Sequence, residues 1–369
     1  MRWLFVLIIV ILLEALTYGA GRGMQWFLAG WLNTKSSRYV MGTMFAISHV
    51  FLLLAISRVS TVGLKVMMVW LTVLWFMVMV TLAVGLINFM LNKLMPSLTV
   101  NDFYQTWGVR AMIAGGLFGL IALGVYNAYT PVVRHLTITA NYPMVQPVRL
   151  AMVSVLHLGW LVGNREIDNL TDIVTREKVQ LLLMPGDIMD DNVAEYHAKK
   201  MQPYLQNLVK SVPMGVYASL GNHDMYGDES NIRAALVQAG VHMLADERAL
   251  VNEQLWLIGR FDNHARNRKS TAELLPQVVD KPLILLDHEP NEIDKNVQLP
   301  TDLQVSGHTH NGQIFPANFI VQRLNRIGYG HERINDTDVV VSAGYGFWGV
   351  PFRLGSQSEV WVIDILGKN

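Results

Sequence analysis

Four stretches of the chain, residues 3–19, 39–56, 66–91 and 111–126, are apolar almost without interruption. A helix needs about 20 apolar residues to cross a bilayer core, so each stretch predicts a membrane span. The first opens like a signal peptide, with Arg2 ahead of an apolar run. However, the sequence after Leu16, TYGAGRGMQWF, is a poor cleavage site and three further spans follow, so it reads as an anchor. Trp26, Trp31, Tyr39, Tyr104 and Trp107 stand near span ends, where aromatic rings favour the membrane interface. Beyond residue 147 the pattern changes to short apolar runs between amphipathic segments. Residues 149–155, 179–184, 214–220, 282–286, 303–305, 338–342 and 359–365 read as strands. Residues 192–209 and 229–239 read as helices, the second closed by Gly240. Alternating strand and helix in the first part predicts parallel βαβ units. In the later part strands follow one another with little helix between, which predicts two sheets rather than one.

Composition sharpens the division. Only 16% of the chain is charged, against about a quarter in soluble proteins. Residues 1–130 carry eight Lys/Arg and two acids, Glu14 and Asp102, a net of +6, and the rest of the chain nets −6. The overall zero therefore hides two objects: an all-α membrane domain of about four helices over 1–130, and a second domain over 147–369, with 131–146 as a linker. Four spans place both ends of the membrane domain on one side, which makes the protein a multi-pass protein of the cell membrane. Arg2, Arg58, Lys65 and Arg134 would share one face, and Arg22, Lys35, Arg38, Lys93 and Arg110 the other. Four against five does not set the orientation. Glu14, His49 and Asn88 lie within the spans; a plainer reading than a transport path is that Glu14 lies near a span end and the other two bond between helices. The acidic second half has no basic stripe, which argues against nucleic acid as a partner. With no cysteine there are no disulfides.

In the second half the polar residues gather at strand ends: LHLG, MPGDIMDD, GNHDMYGD, DHEP and GHTHNGQ. Open α/β sheets build their sites there. His308 and His310 are two apart in an extended segment and can share a face. Asp187 at a strand end is a charge that calls for a partner or a metal. With His157, Asn222 and His288 they make a nitrogen and oxygen donor set suited to Mn, Fe, Zn or Co. Taken singly, a GD or GNHD turn is also ordinary turn chemistry, and a lone histidine is more often a packing or surface residue. Their occurrence together, each after a strand, is what points to a site. His135, His197, His242, His264 and His331 fall outside this arrangement and read as surface residues.

The order LHLG, GDIMD, GNHD, LDHEP, GHTHNGQIFP resembles the calcineurin-like metallophosphoesterase superfamily over residues 147–367. The tail GYGFWGVPFRLGSQSEV is similar to the bacterial membrane-linked branch of that family. The four-span front end is similar to transmembrane proteins with a metallophosphoesterase domain. The resemblance implies an α/β fold, a four-layer α/β/β/α sandwich. It implies one metal held by His157, Asp187 and His310, and a second held by Asp187, Asn222, His288 and His308, with Asp187 bridging. It also implies that His223 is no ligand but a donor to the phosphoryl group or leaving oxygen. Asp190 is our own addition, as the acid that orients His223. Two ions about 3.5–4 Å apart clamp a phosphate and make a water acidic enough to attack phosphorus.

One position departs from the family. Where its motif asks for an acid, two residues before His157, this chain has Val155. Valine cannot coordinate, so the first metal should be weakened and the second largely kept, giving one or two divalent ions per chain. The expected protein is a membrane-anchored phosphoric ester hydrolase using a metal-activated water, with a phosphate ester, lipid-linked or soluble, as substrate. The alternative is a phospho-ligand-binding or signalling module impaired in catalysis by Val155. Oligomeric state is not legible.

Overall fold

The computed structural model describes residues 2–29, 34–57, 61–94 and 106–368. The chain forms two compact units, divided between Leu123 and Gly124. Trp31, Arg58, Asp102 and Tyr104 lie outside the described residues.

The first unit contains helices α1 (Arg2–Leu28), α2 (Thr34–Ile56) and α3 (Thr61–Leu94) and most of α4 (Trp107–Tyr129). Three helical segments among the described residues are long and apolar enough to cross a membrane: Ser36–Ile56, Val62–Leu94 and Trp107–Tyr129. The first expected span falls in α1, several of whose N-terminal side chains lie outside the described residues. Polar side chains inside this unit bond across helices. His49 Nε2 lies 3.2 Å from Glu14 Oε1, and Ser48 Oγ joins Thr17 and the Trp70 indole, both at 2.8 Å. Leu13, Leu16, Ala20, Met44, Met67 and Leu74 pack around them. The His49 contact agrees with the plainer reading of that residue, whereas Asn88 Oδ1 accepts the Asn92 amide at 3.4 Å within its own helix.

The second unit is built on twelve strands: β1 (Val132–Thr139), β2 (Val148–Met152), β3 (Leu181–Pro185), β4 (Val216–Ser219), β5 (His242–Met243), β6 (Glu247–Val251), β7 (Leu255–Gly259), β8 (Leu283–Leu286), β9 (Leu303–Ser306), β10 (Gly330–Ile334), β11 (Thr337–Val341) and β12 (Glu359–Leu366). They form two six-stranded mixed sheets, ordered β1-β12-β2-β3-β4-β5 and β10-β11-β9-β8-β7-β6. The expected linker over 131–146 is corrected here, since its first half is β1, paired in parallel with β12.

Alternation along the strands sorts the side chains into layers. Leu150, Met152, Leu181 and Leu183 face the second sheet's Leu257, Ile284, Leu286 and Val305. Ala151, Leu182 and Met184 turn the other way, onto the helix Asn164–Arg176, which presents Ile167, Leu170 and Val174 at helical spacing. Ile258, Leu283 and Leu285 on the far face of the second sheet meet Leu274 of the short helix Thr271–Leu274. The result is the four-layer sandwich, and each fully buried leucine or isoleucine adds about 1.5–3 kcal/mol. The helix expected over 192–209 is two, Ala194–Ala198 and Gln202–Lys210. Lys200 takes a left-handed φ of 52° between them, and Pro203 supplies no N–H to continue the earlier helix.

Candidate metal centre

The candidate residues converge where loops leave the ends of β2, β3, β4, β8 and β9. After β2 ends, residues 155–158 run beside the loop that follows β3: Val155 N–H donates to Gly186 O, His157 N–H to Asp187 O and Leu158 N–H to Ile188 O. Two glycines make this approach possible. A Cβ on Gly186, whose φ is +77°, would lie 2.4 Å from His288 Nδ1, and one on Gly221 would lie 2.3 Å from Asp187 Oδ1. His157, Asp187, His308 and His310 all hold left-handed φ values between 49° and 64°. That conformation is uncommon for non-glycine residues and gathers at functional sites.

Asp187 is central. Its Oδ1 accepts the His223 N–H at 2.9 Å. Its Oδ2 lies 3.1 Å from His288 Nε2 and 3.7 Å from His157 Nε2. Asn222 Oδ1 faces His288 Nε2 at 3.2 Å and His308 Nδ1 at 2.9 Å. His288 Nδ1 donates to Pro185 O at 2.9 Å, which leaves Nε2 as the nitrogen facing the site. Burial opposes protonation of His288, but Asp187 outweighs it and raises the pKa to about 10. The neighbouring imidazoles hold Asp187 far below the usual carboxylate range despite its burial. Burial presses His157 down to about 3 and lowers His308 and His310 as well. His157, His308 and His310 are thus held neutral beside an ionised carboxylate, as metal ligands must be, and His288 would give up its Nε2 proton on binding an ion.

Asp187, His288 and His308 bring ligand atoms within 4.8 Å of one another, as do His157, Asp187 and His223. Both ring nitrogens of buried His157 lack any hydrogen-bond partner. Orphaned nitrogens beside a carboxylate fit a divalent ion. Asp187, Asn222, His288 and His308 fit one fully. On the other side of Asp187, His310 stacks on His157 with ring centroids 5.3 Å apart. Its Nδ1 faces Arg353 Nη2 at 3.5 Å, so that side fits an ion less well.

Val155 is fully buried. It does not sit in the strand, as the sequence reading had it, but past its end with φ 56°. Its side chain is wedged between Gly307 and Gly344, and the Arg353 guanidinium approaches Gly344 as well. Arg353 donates to the carbonyls of Ala343, Gly346 and His310 and to Ser356 Oγ. Burial lowers its pKa to about 10.

His223 stands beside both Asp190, the acid we expected to orient it, and Asp191. Its Nδ1 bonds Asp191 Oδ1 at 2.6 Å, while Asp190 Oδ1 lies 3.8 Å from His157 Nδ1. Partial burial works against protonation of His223, but the bond to Asp191 and the charges of Asp187 and Asp190 raise its pKa above the usual value. Sequence reasoning also gave no role to Asp224, whose buried carboxylate accepts N–H groups from Ile188, Met189 and Gly221 and so locks the β3 and β4 loops together. Burial and then the charge of Asp187 raise Asp224 to about 6. Its place in the GNHD motif was the available signal. Tyr226 and Trp348, both about half exposed, stand 5.0 and 5.7 Å from the His223 ring.

A family model described as calcineurin-like phosphoesterase matches residues 153–312. A metallophosphoesterase of Aquifex aeolicus is 30% identical over 275 residues, covering 68% of this chain and 99% of that protein. One from Helicobacter pylori is 29% identical over 230 residues, and this chain spans only 60% of its length, as it does 60% of its own. A zebrafish (Danio rerio) transmembrane protein with metallophosphoesterase domain is 28% identical over 230 residues, covering 58% of this chain and 52% of that protein.

Proposed function

The chain belongs to the calcineurin-like metallophosphoesterase family, and from that premise we propose that it is a membrane-anchored, metal-dependent phosphoesterase. The convergence of Asp187, Asn222, His288 and His308 beside a protonatable His223 carries this reading. A bound divalent ion supplies Lewis acidity and a more acidic water. The chain supplies the rest. Asp187 holds both sides of the centre and, through its Oδ1, fixes the His223 backbone. His223, kept protonated by Asp191, gives its proton to the departing oxygen of the ester. Asp190 adds negative charge beside both His157 and His223. The half-exposed rings of Tyr226 and Trp348 beside His223 favour a leaving group with apolar character, such as a lipid-linked ester. Multi-pass anchoring by α1–α4 in the cell membrane would hold the site near such substrates.

A second reading, a module that binds a phosphorylated ligand without turning it over, is favoured by Val155 and by Arg353 facing His310. The purified full chain in detergent separates the two. Release of the aryl alcohol from an aryl phosphodiester in the presence of Mn supports the esterase. Bound Mn without turnover supports the binding module.

A further inference from the structure

Beyond the centre around Asp187, a second set of ligand-type side chains meets on the other side of Tyr226. Asp262 lies in the turn after β7, His264 two residues on, and Glu289 directly after His288 at the end of β8. A carboxylate oxygen of Asp262, one of Glu289 and a ring nitrogen of His264 all lie within 4.8 Å of one another. The two acids are 1% and 9% exposed.

The charges around these residues are unevenly paired. Asp287 is neutralised by Arg260 at 2.9 Å and by Arg268, and Glu292 also draws on Arg260. These arginines stand in the same region, yet neither reaches Asp262 or Glu289. Among the described residues the one ion pair of Asp262 is with His264, and Glu289 makes none. Asp262 Oδ1 accepts the His264 N–H at 3.0 Å and faces His264 Nδ1 at 2.6 Å. Asp262 Oδ2 is fully buried and has no partner at all. Glu289 Oε2 accepts amides from Asn263 and Asn291. Amides lessen the cost of a buried carboxylate but leave its charge in place, and two such charges this close are costly without a cation.

We propose that Asp262, His264 and Glu289 form a further divalent-cation site, separate from the one centred on Asp187. The donor set of two carboxylates and one imidazole suits a borderline ion such as Mn or Zn. Nδ1 of His264, the nitrogen that faces Asp262, is the one that would turn to the ion, and the ring would then carry its proton on Nε2. The site is close to the first without sharing a residue. The His264 ring stands 5.2 Å from Tyr226, whose hydroxyl accepts the Asn222 amide at 2.8 Å.

The test is an equilibrium Mn titration of the full chain, with free Mn read by its paramagnetic resonance signal. His264→Ala alters a ring that is half exposed, so folding should survive. It should remove one Mn site per chain and leave the others unchanged. Asp262→Asn should remove the same single site, and combining the two should remove no more than either alone. An unchanged number of sites in His264→Ala overturns the proposal, as does loss of every site, which would make these residues part of the Asp187 centre. Asp187→Ala in parallel keeps the readings apart, because it should empty the Asp187 centre and spare this one.

Discussion

On one side of Asp187 stand Asn222, His288 and His308; on the other, His157 and His310. The residue types are similar, and the settings are not. On the first side outer groups aim two of the three donors. The Pro185 carbonyl fixes the His288 ring, and Tyr226 takes the Asn222 amide so that its carbonyl oxygen turns inward. On the second side nothing aims His157, whose nitrogens have no partner. His310 offers Nδ1 to a guanidinium, a group that can only donate. A valine completes that side. Donor identity alone therefore does not make two equal metal sites; the groups behind the donors do.

The strongest way to break the comparison is at the shared residue. Asp187→Ala should strip the centre of metal on both sides and bring hydrolysis down to the uncatalysed background. If mass spectrometry under native conditions still finds two ions around that centre, the division into two sides through Asp187 is wrong. Next in size is His223, which belongs to neither side. His223→Ala should lower turnover by about 10²–10⁴ while the metal content stays as it was. Asp191→Asn should cost about tenfold, the low end for a hydrogen bond to a charged group because Asp191 is half exposed. Asp190→Asn should cost less than Asp191→Asn, and the opposite ranking in kcat would return the orienting role to Asp190.

The smallest change sharpens the comparison. Val155→Asp is close to isosteric and would set a carboxylate beside Arg353 and the His157 side. It should raise metal occupancy on that side and lower the Mn concentration needed for half-maximal hydrolysis. Unchanged occupancy would show that the pocket between Gly307 and Gly344 does not open onto the ion.

Much of this site was legible because the glycines at the strand ends punctuate the chain. GD, GNHD and GHTH each announce a sharp turn with a polar side chain at its tip, and all six proposed ligands lie in the same region. What was not legible depended on the path of a turn or on distance along the chain. Asp190 and Asp191 are adjacent, and only the path of the loop decides which meets His223. His264 reads as a surface histidine and is half exposed, and Glu289, which comes near it, is 25 residues away with no shared motif. Strand β1 was missed for another reason. It is an edge strand, and Arg134, His135 and Thr137 interrupt the apolar alternation, so VVRHLTIT resembles a tether more than a strand. The apparent helix over 192–209 kept its apolar period straight through Lys200, where the backbone does not.

Strand β12 lies between β1 and β2, parallel to the first and antiparallel to the second. The two neighbours are joined to one another only through it. A ribosome releases β1 first among the strands and β12 last, after more than 200 residues of intervening chain. Until then β1 has no partner, and β2 has one edge bare. Pairings this remote in sequence are slow to form, and an unpaired edge is open to other chains while it waits. For a protein whose leading helices are suited to a bilayer, that wait would be spent tethered, which keeps nascent copies apart from the freely diffusing chains they could otherwise pair with. Sheet closure is therefore the step at which synthesis is most exposed to failure, and Glu359, the first residue of β12, ties to Arg134 of β1 as soon as the last strand arrives.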